Sequence, residues 1–146
     1  RIYCKKNIKK SIKYKEQASY SEIIKFVKRV KQNKERTVKF IKKNVKLGKK
    51  IFIYGASTKG NTLLQYYGLT NKEIPFASER TKTKWNKYTI GSGVKILSEE
   101  KARKLKPDYF FVMPYGFIKE FIKREKKWLK SGGKFLLPYP FFKVVK

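Results

Sequence analysis

Ile51-Phe52-Ile53-Tyr54-Gly55-Ala56-Ser57-Thr58-Lys59-Gly60-Asn61-Thr62 is the stretch that decides the fold. A four-residue apolar run ends at Gly55, a second glycine follows at Gly60, and Asn61 to Tyr67 can continue as a helix. This order predicts a strand, a sharp turn and a helix. The first backbone N–H groups of such a helix have no partner inside it, and its dipole is positive there, so it can hold an anion. Glycine permits a positive φ in the turn and lets a phosphate come close to the backbone. The spacing Gly55-x-Ser57-x-x-Gly60 is the dinucleotide fingerprint with serine at its middle glycine. It is not the phosphate loop of nucleotide triphosphatases, because Lys59 precedes Gly60 and Asn61-Thr62 follow it. The fingerprint calls for an acidic residue about 20 residues on, to meet a ribose hydroxyl. Glu79 stands there, after Ile74-Pro75-Phe76-Ala77-Ser78. The same pattern also describes a plain strand–helix turn with its glycines kept for packing.

Outward from this unit, strands and helices alternate. Ser19 to Leu47 reads as one long helix, opened by the capping box Ser19-x-x-Glu22 and stopped at Gly48. Its apolar residues Ile23, Val27, Val30, Val38, Ile41 and Val45 recur at helical spacing, with a polar gap near Lys34. Its length suggests that it leans on a neighbouring domain as well as on its own core. Lys50–Tyr54 reads as a strand, Asn61–Tyr67 as a helix, and Ile74–Ser78 as a strand. A polar loop covers 80–93, and Val94–Ile96 reads as a short extended segment. Ser98 caps a helix over Glu99–Leu105. Tyr109–Met113 reads as a strand, Gly116–Lys130 as an amphipathic helix, and Lys134–Leu137 as a last strand. The expected fold is α/β: a Rossmann-like, three-layer parallel sheet with helices on both faces, preceded by the long N-terminal helix. Ligands of such sheets lie beyond the carboxyl ends of the strands. That rule gathers Gly55–Thr62, Glu79-Arg80 and Pro114-Tyr115-Gly116 on one edge.

The 146 residues bound a single domain over 19–146, with 1–18 as a remnant of a preceding domain and its linker. The chain starts at Arg1 rather than Met, which fits a piece of something longer. A single cysteine rules out an internal disulfide and fits a reducing, cytoplasmic setting. Without histidine, the usual Ser–His–Asp and Cys–His machinery cannot be built, and no transition-metal site is expected. The net charge of +29 invites a nucleic-acid reading. Only six of the 39 basic residues are arginine, and the lysines are spread along every segment. Bidentate recognition of phosphates and bases favours arginine. Attraction to polyanions at low salt is expected, but no specific nucleic-acid partner. No run approaches the ~20 apolar residues of a membrane span, so no membrane partner is expected.

Tyr54-Gly55-Ala56-Ser57-Thr58-Lys59-Gly60-Asn61-Thr62-Leu63-Leu64 resembles the opening of the C-terminal domain of the sugar C-methyltransferases. These enzymes use S-adenosylmethionine to methylate nucleotide-linked deoxysugars. Further pieces agree in order: Ile74 to Tyr88, Gly91-Ser92-Gly93-Val94-Lys95-Ile96, Lys106-Pro107-Asp108-Tyr109, and Ser131-Gly132-Gly133-Lys134-Phe135 with Pro138. The resemblance runs from about Lys49 to Pro140, and Arg1-Ile2-Tyr3 looks like the last strand of a preceding methyltransferase domain. It implies a protein of three parts: a small zinc-binding region, a domain with the methyl donor and the catalytic base, and this Rossmann-like domain, which closes over the nucleotide-sugar. On that reading the chain has no catalytic residue and is inactive alone. It binds no cofactor itself, S-adenosylmethionine and structural zinc belonging to the full-length protein. Its partners are a nucleotide-linked sugar and the preceding domain. The implied substrate-binding residues are Gly55, Ser57, Thr58, Lys59, Gly60, Asn61, Thr62, Glu79, Arg80, Lys84 and Tyr115. Two stretches depart from the family pattern. Thr81-Lys82 replaces an Asn-Pro turn, and Tyr115-Gly116 stands where Trp and a polar residue are common. Two other readings stay open: a stand-alone dinucleotide-binding domain for NAD, against which serine at 57 and the lack of a second Rossmann half argue, and a basic nucleic-acid-binding module.

Overall fold

The computed structural model describes residues 19–146. The expected strand at Arg1-Ile2-Tyr3 lies outside them. Helix α1 (Tyr20–Lys46) starts at Ser19, whose hydroxyl accepts from the Glu22 amide while the Glu22 carboxylate takes the Ser19 amide, so the capping box closes. Strand β1 (Ile51–Tyr54) leads into helix α2 (Thr58–Tyr67). Strands β2 (Phe76–Glu79) and β3 (Lys95–Ser98) follow, and β3 runs straight into helix α3 (Glu99–Lys104). Strand β4 (Tyr109–Val112) precedes a short 3-10 turn at Tyr115–Phe117 and helices α4 (Ile118–Arg124) and α5 (Lys126–Lys130). Strands β5 (Lys134–Leu137) and β6 (Lys143–Val145) close the chain.

The six strands form one sheet in the order β3-β2-β1-β4-β5-β6. The first five are parallel and β6 is antiparallel to β5. This is the strand order of doubly wound dinucleotide-binding sheets. Contrary to the sequence reading, a second half of the sheet is present in β4 and β5, but β6 enters by a short return rather than by a crossover helix. Chain direction across the sheet reverses between β1 and β4, which is where a crevice opens.

Strand alternation sorts the core into two layers. Ile51 and Ile53 face α1 and α2 with Ile41, Leu64 and Tyr67. Phe52 and Tyr54 face α3, α4 and α5 with Ala102, Phe121 and Trp128. Helices thus cover both faces, as expected. Helix α1 uses mainly its second half for this: Asn33, Thr37 and Ile41 are its buried residues. The polar gap near Lys34 is Asn33, whose amide donates to the Pro140 carbonyl and whose oxygen accepts from the Phe142 amide. That pair of bonds fixes the segment that delivers β6. Among the described residues no helix is long and apolar enough to cross a membrane.

The predicted helix over 116–130 is broken at Glu125 into α4 and α5. Helix α2 begins at Thr58, three residues earlier than expected, and β2 and β3 sit two residues and one residue further on.

Candidate functional site

Gly55 ends β1 with φ +84, and its amide donates to the Ser78 carbonyl at 2.8 Å. A Cβ there would stand 2.9 Å from Pro114 Cγ, so both its φ and its neighbour call for glycine. Ser57 is the N-cap of α2, its hydroxyl accepting from the Gly60 amide at 3.1 Å. A middle glycine could not make that bond. The Ser57 amide turns back to the Gly55 carbonyl, and the Asn61 amide bonds the Ser57 carbonyl. Of the amides from Ser57 to Asn61, those of Thr58 and Lys59 have no acceptor among the described residues. Both residues are exposed.

Glu79 is 9% exposed and braces this turn from β2. Its carboxylate accepts from the amides of Ala56, Arg80 and Thr81, each at 2.9 Å. Lys84 donates to the Ala56 carbonyl at 3.0 Å and lies 3.6 Å from Glu79. Burial alone would raise the Glu79 pKa; the amide bonds, foremost that of Thr81, and the Lys84 charge outweigh it and hold it below the usual range. Trp85 locks the following loop through its indole N–H to the Glu79 carbonyl. The structural bonds leave one Glu79 oxygen lone pair for a ligand hydroxyl, since Oε2 takes a single amide.

A cleft of about 330 Å³ opens beside this turn, at the carboxyl ends of β1 and β2. Gly55, Ser57, Glu79, Arg80 and Lys84 line it. Its other walls are Tyr54, Pro114, Phe117 and Phe121, with Glu99, Glu120 and Arg124 as polar members. The remaining expected residues lie elsewhere. Gly60 packs under α2 against Met113. Asn61 accepts from Ser92, which bonds Thr89, so it holds the 80–93 loop. Thr62 bonds back to the Thr58 carbonyl. Thr58 and Lys59 stand at the exposed start of α2, outside the cleft lining. Tyr115 turns its ring onto Tyr139, with centroids 4.8 Å apart.

Sequence reasoning missed the ionic cluster behind the cleft. The Glu125 carboxylate, 3% exposed, accepts from Tyr54 Oη at 2.7 Å and from Arg103 Nε at 2.9 Å. Arg124 donates to Tyr54 Oη and pairs with Glu99 at 3.0 Å, and Arg103 also reaches Glu99. Two carboxylates and two guanidinium groups cancel in charge around one phenol. Burial pushes the Tyr54 phenol up, so it stays neutral. Burial would also raise Glu125, but hydrogen bonds from Arg103 and Tyr54 and both guanidinium charges hold it low. One signal was present: Glu125 fills the i+4 slot from Phe121 on the otherwise apolar face of that helix.

Glu79 and Glu125 both titrate below the unfolded value of 4.5. A group depressed on folding adds stability above its unfolded pKa and loses it as pH falls through the folded one. Thermal unfolding followed from pH 7 to pH 3 should therefore give a flat Tm down to about 4.5 and a steep fall below it. A Tm insensitive to acid would contradict the paired state of both carboxylates.

With this geometry in place, comparison with known proteins settles the lineage. A family model described as the C-methyltransferase C-terminal domain matches residues 5–140. The chain belongs to the C-methyltransferase C-terminal domain family. A similar relative is the C-methyltransferase NovU of Streptomyces niveus, 40% identical over 98 residues. That match covers 67% of this chain but 23% of NovU, so this C-methyltransferase C-terminal domain spans much less than two thirds of its relative. The glycine turn, Glu79-Arg80 and Gly132-Gly133 all fall inside the region matched by the family model.

Proposed function

We propose that the chain binds the nucleotide part of a nucleotide-linked sugar for an S-adenosylmethionine-dependent C-methyltransferase. The observation that carries the reading is the cleft's division of labour. Its apolar lining of Tyr54, Pro114, Phe117 and Phe121 suits the planar base of a nucleoside. Its rim holds Arg80, exposed and without an ion pair among the described residues, and Lys84. These cations, with the free Thr58 and Lys59 amides at the start of α2, suit a diphosphate. Glu79, Glu99 and Glu120 supply acceptors for hydroxyls.

The chemistry of the parent enzyme would then lie outside this chain. There a base would remove a proton from the carbon next to a sugar carbonyl, and that carbon would take the methyl group of the sulfonium donor, which would leave as a thioether. This domain contributes binding and orientation, which lower the entropic part of the barrier. Among the described residues no three of His, Cys, Asp or Glu gather into a group that could hold a metal ion. Tyr20, Ile23, Ile24 and Val27 make an apolar stripe on the first turns of α1 and are 40–80% exposed. That stripe is the surface on which the preceding methyltransferase domain would pack. Calorimetric titration with thymidine diphosphate tests the reading; saturable binding is expected.

A further inference from the structure

We propose that the Ser78 hydroxyl is the contact by which this cleft reads the polar edge of the bound base. The inference rests on the nucleotide reading of the cleft. Ser78 is in β2, in register with Tyr54 of β1 and Leu97 of β3, and lies on the sheet face that they share. It lines the cleft and is 2% exposed. Among the described residues its Oγ is the one buried side-chain oxygen or nitrogen with no hydrogen-bond partner.

The buried polar side chains beside it are engaged by the protein itself. Glu79 holds three amides, Tyr54 Oη is shared by Glu125 and Arg124, and Lys84 caps the Ala56 carbonyl. A buried hydroxyl without a partner destabilises the empty protein, and alanine, smaller by that one oxygen, would avoid the penalty. Ser78 Oγ is thus the buried side-chain atom at this site that the fold leaves without a partner, and the ligand is the partner left to supply one. With its phosphates at the exposed Arg80 beside the glycine turn, a bound nucleotide would turn its ring towards the buried side of the cleft, where Ser78 lies. The group that comes to the floor is then the edge of the ring. A serine hydroxyl donates and accepts, so it can meet a ring carbonyl or a ring N–H. The hydroxyl has three staggered χ1 wells among which to turn.

The test compares the wild-type chain with Ser78→Ala in calorimetric titrations of thymidine diphosphate and of inorganic pyrophosphate, alongside thermal unfolding without ligand. The expected result is roughly tenfold weaker thymidine diphosphate binding by the variant, unchanged pyrophosphate binding, and a Tm equal to or above wild type. Equal thymidine diphosphate affinity in the two proteins would overturn the proposal. So would an equal loss for both ligands, or a lowered Tm, which would mark the hydroxyl as structural. A wild-type chain that binds no thymidine diphosphate would instead remove the nucleotide reading, and this contact with it.

Discussion

Replacing Glu125 by alanine is expected to destabilise the fold by about 3 kcal/mol, which lowers Tm by roughly 10 °C for a domain of this size. The carboxylate is 3% exposed and faces two guanidinium groups and a phenol. Its removal leaves Arg103 and Arg124 without their buried counter-charge, and Tyr54 Oη without its acceptor. Loss of one partner of a buried ion pair costs about 3–5 kcal/mol. The lower end applies because Arg103 and Arg124 are 36% and 26% exposed and can turn towards water. Glu125→Gln keeps the shape and some of the hydrogen bonds, so it should lie between the two. The control is Glu100→Ala. Its partner Lys104 sits 2.8 Å away, but both side chains are more than 70% exposed, and water replaces the pair. Chemical unfolding of the three variants checks the ranking. Equal midpoints for Glu125→Ala and Glu100→Ala would show that the cluster contributes nothing beyond a surface pair.

The second large effect is expected at Gly60, where two rules oppose each other. Gly60 lies in the first turn of α2, and helix propensity alone makes Gly60→Ala stabilising by about 1 kcal/mol. Packing predicts the reverse. A Cβ at Gly60 would stand 2.6 Å from Met113 Cβ and Cγ and 2.9 Å from its sulfur. Met113 follows directly on β4 and its Cβ cannot swing away, so the start of α2 must retreat from the sheet. Overpacking of this kind costs about 1–3 kcal/mol. The net change should be a loss of about 1–2 kcal/mol, with weaker diphosphate binding because the free Thr58 and Lys59 amides move with the helix. In a Met113→Ala background only the Cβ contact remains, so Gly60→Ala should cost less there than in the wild type. A Gly60→Ala protein more stable than wild type would refute the close approach of α2 to β4.

Much of the fold was legible because its signals are local. The Ser19–Glu22 box, the apolar run at Ile51–Tyr54 and the cap at Ser98 are each written in four to eight adjacent residues, and each forms where expected. Strand β6 was not legible. Pro138 and Pro140 precede it, it is three residues long, and its place depends on Asn33 gripping the chain more than a hundred residues away. The break at Glu125 has the same origin. A continuous amphipathic helix explains residues 116–130 until Glu125 is seen to turn inward to Arg103, which lies 22 residues back.

The site was legible in part. Glycines and an acidic residue at fingerprint spacing located the turn, and the cleft does open beside Gly55, Ser57, Glu79, Arg80 and Lys84. Its aromatic walls could not be read. Tyr54 and Phe121 look like core residues in a one-dimensional pattern, and only the crossing of β1 and α4 brings them together. Tyr115 lies outside the cleft lining with its ring against Tyr139, and Phe117, at the end of the 3-10 turn after Pro114, lines the cleft. Ser78 gave no signal, since an isolated serine in a strand is common; what sets it apart is the missing partner.

The central claim is that this chain holds the nucleotide and not the methyl donor. Calorimetric titration of the chain with thymidine diphosphate and, separately, with S-adenosylmethionine tests it most directly. The account predicts saturable one-to-one binding of thymidine diphosphate and no heat of binding for S-adenosylmethionine. Saturable binding of S-adenosylmethionine with none of thymidine diphosphate would contradict it.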